Sequence, residues 1–186
     1  MLLRTYLNIC LLRANPQDLP ASHFLLVLSL IAYLSANLVT FSDTVSWARA
    51  LVASVADTLL LIALVHSALL IRRLVVRGRQ TLAALAGCGA FISLIAWMAT
   101  TIAVKAVAPD ISDVGTSALP ELSPGQTQII LIVSLLCVAW FVLVFGHIFR
   151  EALNVPIAGG VAIAMLYILV STSIGAALIG GSHSNG

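Results

Sequence analysis

Long apolar runs alternate with short polar breaks along this chain. The first unit, MLLRTYLNICLLR, shows a helical pattern: Arg4, Thr5 and Asn8 share one face, and Leu3, Tyr6, Leu7, Ile9 and Cys10 cover most of the other. This pattern predicts a short interfacial helix lying on the inner membrane surface. ANPQDLP then interrupts it, because Pro16 and Pro20 each lack the amide hydrogen a helix needs. Ser22 is placed to cap the next helix.

Five runs follow, each near the ~20 residues that cross a bilayer. They cover about residues 22–40, 49–71, 82–104, 128–149 and 156–179. Span 3 is rich in small residues. Ala83 and Gly87, and likewise Ala86 and Ala90, have the spacing that lets helix backbones approach closely in lipid. In span 5, Gly160, Ala164, Ser171 and Gly175 lie along one stripe. The one long polar segment, 105–127, holds Asp110, Asp113, Glu121, Pro109, Pro120 and Pro124. Ser123-Pro124-Gly125-Gln126 resembles a capping box, so span 4 is expected to begin near Pro124 and to enter the bilayer near Gln128. The tail 181–186 reads as flexible and polar. The predicted fold is an all-α polytopic bundle of five transmembrane helices (22–180), led by an interfacial helix and a Pro-containing linker (1–21).

Composition points the same way. The chain is 61% hydrophobic and 9% charged, with mean hydropathy +1.11, whereas a soluble domain carries roughly 25% charged residues. The net charge of +2 is spread over loops and excludes the clustered basic face of a nucleic-acid binder. The N-terminus lacks the pattern of a cleavable signal peptide, its first run being interrupted by Arg4 and Asn8. Cys10, Cys88 and Cys137 are far apart in sequence, form no CxxC pair and read as small buried hydrophobes.

Charge also sets an orientation. Arg72, Arg73, Arg77 and Arg79 crowd the break IRRLVVRGRQ, and Lys- and Arg-rich short loops stay cytoplasmic. With that loop inside, Arg4, Arg13 and Arg150 also fall inside, making seven of the nine basic residues; Arg49 and Lys105 fall outside. The N-terminus is then cytoplasmic and the C-terminus outside, in what we read as a bacterial inner membrane. The loop arginines also suit anionic lipid, although orientation alone explains them. Trp47 suits an interface, and Trp97 and Trp140 read as packed within spans.

Asp57 is the sharpest chemical candidate. A carboxylate inside a span costs at least about 2.5–3.5 kcal/mol, so it must be paired, protonated or in contact with water. Tyr33, Ser134, Tyr167 and Ser171 (or Ser173) fall at a similar depth, which suggests a polar cluster. Its structural reading is a neutral carboxyl locking helix packing; its functional reading is proton or ion handling. His23, His66 and His147 share the inner half of the bilayer and are weak candidates for metal or haem. They sit on different spans without HxxxH spacing and read more simply as interface histidines. His183 reads as solvated. No nucleophile elbow, phosphate loop or HExxH occurs, so the expectation is a protein without enzymatic activity and without a cofactor.

The five close-set spans, the NPQDLP lead before span 1 and the closing stretch FREALNVPIAGGVAIAMLYILVSTSIGAALIG are similar to bacterial members of the Yip1-like integral membrane proteins. The DLYGP-type motif of eukaryotic members is not present, and no functional residue carries over. The expected function is a membrane scaffold or accessory subunit of this type, whose small-residue faces on spans 3 and 5 pack within the bundle or against a membrane protein or a second copy, with membrane lipids as further partners. The alternatives are a small proton-coupled transporter or channel component using Asp57, and a haem- or quinone-linked anchor using His66 and His147.

Overall fold

The structure, a computed structural model, describes residues 2–43, 45–107 and 124–180. The acidic and proline-rich positions from Pro109 to Ser123, and His183 in the tail, lie outside them. Among the described residues six α-helices form: α1 (Leu2–Cys10), α2 (His23–Ser42), α3 (Trp47–Ile71), α4 (Gly78–Val107), α5 (Pro124–Leu153) and α6 (Ile157–Gly180). The last five are long and apolar enough to cross a membrane. The chain is an all-α bundle, and α5 begins at Pro124 as the proline signal predicts. Ser22 stands at the N-cap of α2 but makes no side-chain capping bond.

α4 is the most buried of the five long helices. It packs on α2, α5, α3 and α1, while α6 closes the bundle against α5 and α3. The small residues of α4 are what admit its neighbours. Ala83, Ala84, Ala86 and Ala90 are buried. A Cβ on Gly87 would stand 2.3 Å from the Tyr6 ring, and one on Gly89 would stand 2.7 Å from the Tyr33 ring. On α6, a Cβ on Gly160 would meet the Gly146 carbonyl oxygen of α5 at 2.2 Å, whereas Gly175 faces open space. The small-residue stripe of span 5 therefore packs from Gly160 through Ala164 to Ser171 and leaves Gly175 outside the contact.

One end of the bundle is tied by polar bonds. The Asn15 amide donates to the Asp18 carboxylate at 2.9 Å and closes a single 3-10 turn over Pro16–Asp18. Gln80 Nε2 donates to the Leu19 carbonyl at 2.7 Å. The Arg72 guanidinium reaches the Leu153 and Asn154 carbonyls at 3.4 and 3.5 Å, where a helix C-terminus offers unpaired acceptors. At the other end the Trp97 indole donates to the Asp43 carboxylate. Trp97 and Trp140 thus do more than pack.

α1, α3 and α5 all stop the same way. Leu12, Arg73 and Asn154 adopt positive φ of 59°, 57° and 51°. The next amide then bonds back to Asn8, Leu69 and Arg150 respectively, at 2.7, 2.9 and 3.2 Å. This is the Schellman stop, at the position glycine usually fills.

α1 packs on α4 and α5, and Ile9 and Cys10 are fully buried by protein. Its apolar face is thus spent partly on the bundle, beyond a simple interfacial lie. The Tyr6 hydroxyl pairs with Ser29 Oγ at 2.8 Å, and Trp140 Nε1 donates to the Cys10 carbonyl at 3.1 Å. Burial pushes the Tyr6 phenol above its usual pKa, and the Ser29 bond offsets part of that rise. Far apart in sequence, Cys10 and Cys88 come together in the fold, where the Cys88 thiol donates to the Tyr6 carbonyl at 3.9 Å; the nearby Cys88 side chain draws the Cys10 thiol down, against the opposing effect of burial.

Candidate functional site

Two pairs of residues spaced by four flank one carboxyl. Tyr33 and Asn37 share a face of α2, and Tyr167 and Ser171 share a face of α6. α3 packs against both helices and carries Asp57. Asp57 is 7% exposed, Tyr33 2% and Tyr167 3%. The Tyr33 hydroxyl lies 2.7 Å from Asp57 Oδ2, and Asn37 Nδ2 donates to the same oxygen at 2.8 Å. The Tyr167 hydroxyl is 2.9 Å from both carboxyl oxygens. Ser171 Oγ donates to Oδ1 at 2.5 Å. The two phenol oxygens are themselves 2.5 Å apart.

Packing fixes the phenols. The missing side chain of Gly89 seats the Tyr33 ring. Tyr167 stacks beside Phe145, with centroids 5.7 Å apart, and Phe145 stacks on Phe141 at 3.9 Å. Aromatic groups held this way keep their rotamers, so the hydroxyls stay aimed at the carboxyl.

An open cavity of about 370 Å³ adjoins the cluster. Thr40, Asp57, Ser93 and Thr172 give it polar walls, and Cys137, Val138 and Phe141 an apolar one. The Thr40 and Thr172 hydroxyls each bond a carbonyl of their own helix. A water occupies about 30 Å³ of liquid volume, so the cavity has room for several beside the carboxyl.

Of the polar positions expected at this depth, the structure brings together Asp57, Tyr33, Tyr167 and Ser171. Ser134 is not among them: it neither contacts the carboxyl nor lines the cavity, whose α5 wall begins at Cys137. Ser173 turns back to the Leu169 carbonyl. Asn37 was the partner that depth alone did not single out; its spacing of four from Tyr33 was the available signal.

The three histidines do not converge. His23 and His66 are exposed, and His66 lines a separate open cavity with Arg79. His147 lies on α5 with Nε2 buried and unpaired. Among the described residues no group of three or more His, Cys, Asp or Glu side chains is placed to hold a metal. Of the loop arginines, Arg72 is engaged with the α5 C-terminus, while Arg73 and Arg79 are exposed and Arg77 half-buried.

The chain matches no protein-family model, no curated protein and no solved structure.

Proposed function

We propose that this chain is an integral membrane scaffold or accessory subunit of Yip1-like type, without catalytic chemistry of its own. One observation carries the reading: the cluster around Asp57, and the Tyr6 and Trp140 side chains, are spent on joining helices. Asp57 takes its four partners from α2 and α6, and Tyr6 and Trp140 fasten α1. The apolar outer face of α5, with Leu131, Ile132, Leu135 and Leu136 exposed, is left for lipid or a membrane partner.

The orientation we propose has the N-terminus cytoplasmic and the C-terminus outside a bacterial inner membrane. In its support, the arginine turn, the α5–α6 turn and the NPQDLP segment share one end of the bundle. At that end Arg79 and His66 line an open cavity of about 670 Å³ walled by Leu26, Ile62 and Leu82, a setting suited to an anionic headgroup and its chains.

The test is purification in a lipid-retaining system and identification of what accompanies the chain. A stoichiometric membrane protein, or a defined homo-oligomer, is the expected result. A lone monomer that alters vesicle pH would overturn the scaffold reading.

The cavity beside Asp57 favours a second reading, a small proton-coupled transporter or channel component, because it brings water-sized space to a buried carboxyl. A haem- or quinone-linked anchor on His66 and His147 has no comparable support.

A further inference from the structure

We infer that Asp57, Tyr33 and Tyr167 form a binding site for one proton, held in a closed ring of three hydrogen bonds and reached through the adjoining cavity. This goes beyond the scaffold reading, and rests on counting hydrogens.

Three oxygen–oxygen contacts close the ring: Tyr33 to Asp57 at 2.7 Å, Tyr167 to Asp57 at 2.9 Å, and Tyr33 to Tyr167 at 2.5 Å. Each contact needs one hydrogen between its oxygens. A phenol supplies one hydrogen, and an ionised carboxylate supplies none. The ionised cluster therefore has two hydrogens for three contacts. Whichever contact is left empty, two oxygens face each other at 2.9 Å or less with only lone pairs between them. A hydrogen on the Asp57 carboxyl fills the third contact. The protons then run round the ring in one sense, each oxygen pair sharing one.

The remaining donors cannot replace that hydrogen. Asn37 and Ser171 point at the carboxyl oxygens, outside the phenol–phenol contact. Nor does a cation compensate the charge. α2 faces the carboxyl with Tyr33 and Asn37, and α6 with Tyr167 and Ser171. Across the cavity α4 presents Ser93, and α5 presents the Cys137 thiol and the Phe141 ring. On α3 itself, Ser54 and Thr58 bond their own helix. Among the described residues no Lys, Arg or His lines the cluster or its cavity. A buried carboxylate without a cation is the costly case in a membrane, and a proton both neutralises it and fills the empty oxygen–oxygen contact. Loss of that proton would force the phenols apart, so occupancy is coupled to the spacing of α2 and α6.

The experiment is infrared spectroscopy of the protein reconstituted in phosphatidylethanolamine–phosphatidylglycerol vesicles, with and without carbon-13 aspartate. At neutral pH the expected spectrum contains a protonated-carboxyl C=O band that moves with the label, shifts in deuterated water and is absent from Asp57→Asn. A difference spectrum in which Asp57→Asn removes only carboxylate bands would overturn the proposal. Tyr167→Phe keeps the ring shape but leaves one contact and one phenol hydrogen, so the acid band should weaken; an undiminished band would show that the ring does not hold the proton. Should Asp57→Asn fail to fold, a variant with Asp18, Asp43, Asp110 and Asp113 each changed to Asn leaves Asp57 as the one labelled aspartate: an isotope-shifted acid band at neutral pH supports the site, and its absence ends it.

Discussion

The hydroxyl oxygens of Tyr33 and Tyr167 stand 2.5 Å apart, joining α2 to α6 over the carboxyl of Asp57. These helices are at opposite ends of the spanning sequence, so this contact and the Asp57 bonds close the bundle where no short loop does. Removing either hydroxyl leaves a buried partner short of a bond, at about 1–3 kcal/mol. Tyr33→Phe and Tyr167→Phe should each lower stability by that order. Because they share partners, the double variant should lose less than the sum, with a coupling of roughly 0.5–3 kcal/mol. Reversible unfolding of the four proteins in mixed micelles measures this; simple additivity would mean that the phenols act independently.

Glycines of one type should behave in three ways. Gly87→Ala drives a methyl into the Tyr6 ring, and overpacking costs about 1–3 kcal/mol. The ring can swing away, so the expected result is a loosened α1, read as faster proteolysis near Arg4. Gly160→Ala meets the Gly146 backbone, which cannot swing, so its cost should exceed that of Gly87→Ala and fall on the α5–α6 pair. Gly175→Ala meets nothing and should be neutral or stabilising by up to about 1 kcal/mol, since alanine is the better helix former. Thermal unfolding of the three variants checks the order.

Arg73 holds φ at 57° to end α3, a region that costs a side-chain-bearing residue roughly 1–2 kcal/mol. Among the described residues its side chain finds no hydrogen-bond partner, unlike that of Arg72. Arg73→Gly should therefore stabilise the fold by a fraction of that amount, the gain being reduced by the greater freedom of glycine when unfolded. Asn154→Gly should change little, because asparagine already tolerates φ of 51°. A lower melting temperature for Arg73→Gly would mean that the guanidinium matters more than the backbone.

The five spanning helices were legible because apolar length and breakers such as Pro20, Pro124 and Pro156 encode them directly. The faces that meet were far less so. Lipid and helix interior are equally apolar, so hydropathy does not mark the buried side of α5 or α6. Only small or polar residues label it, and they do so imperfectly. Gly87 was legible as a close-packing position, but its partner proved to be Tyr6 rather than another span. Ser134 shares its chemistry and depth with Ser171, yet depth carries no information about azimuth. Tyr33 with Asn37, and Tyr167 with Ser171, repeat at four residues and so fix a face; that repeat was the one sequence signal for the site's geometry.

The docking of α1 is testable through its thiol. Cys10 and Cys88 are both buried, and Cys88 lies near enough to act on the Cys10 thiol, whereas Cys137 lies apart on the cavity wall. Diamide takes two electrons and two protons from a thiol pair and leaves a disulfide, provided the Cβ atoms can reach about 3.5–4.5 Å. Treatment of the folded protein should link Cys10 to Cys88 within one chain. After denaturation, maleimide should then label one of the three cysteines instead of all, and a peptide spanning both helices should appear by mass spectrometry. Unfolding before oxidation should reduce the yield of this link, since the pairing belongs to the packed state. An α1 that lay free on the membrane would keep all three thiols reactive, and the tie between Tyr6, Trp140 and the bundle would then have to be abandoned.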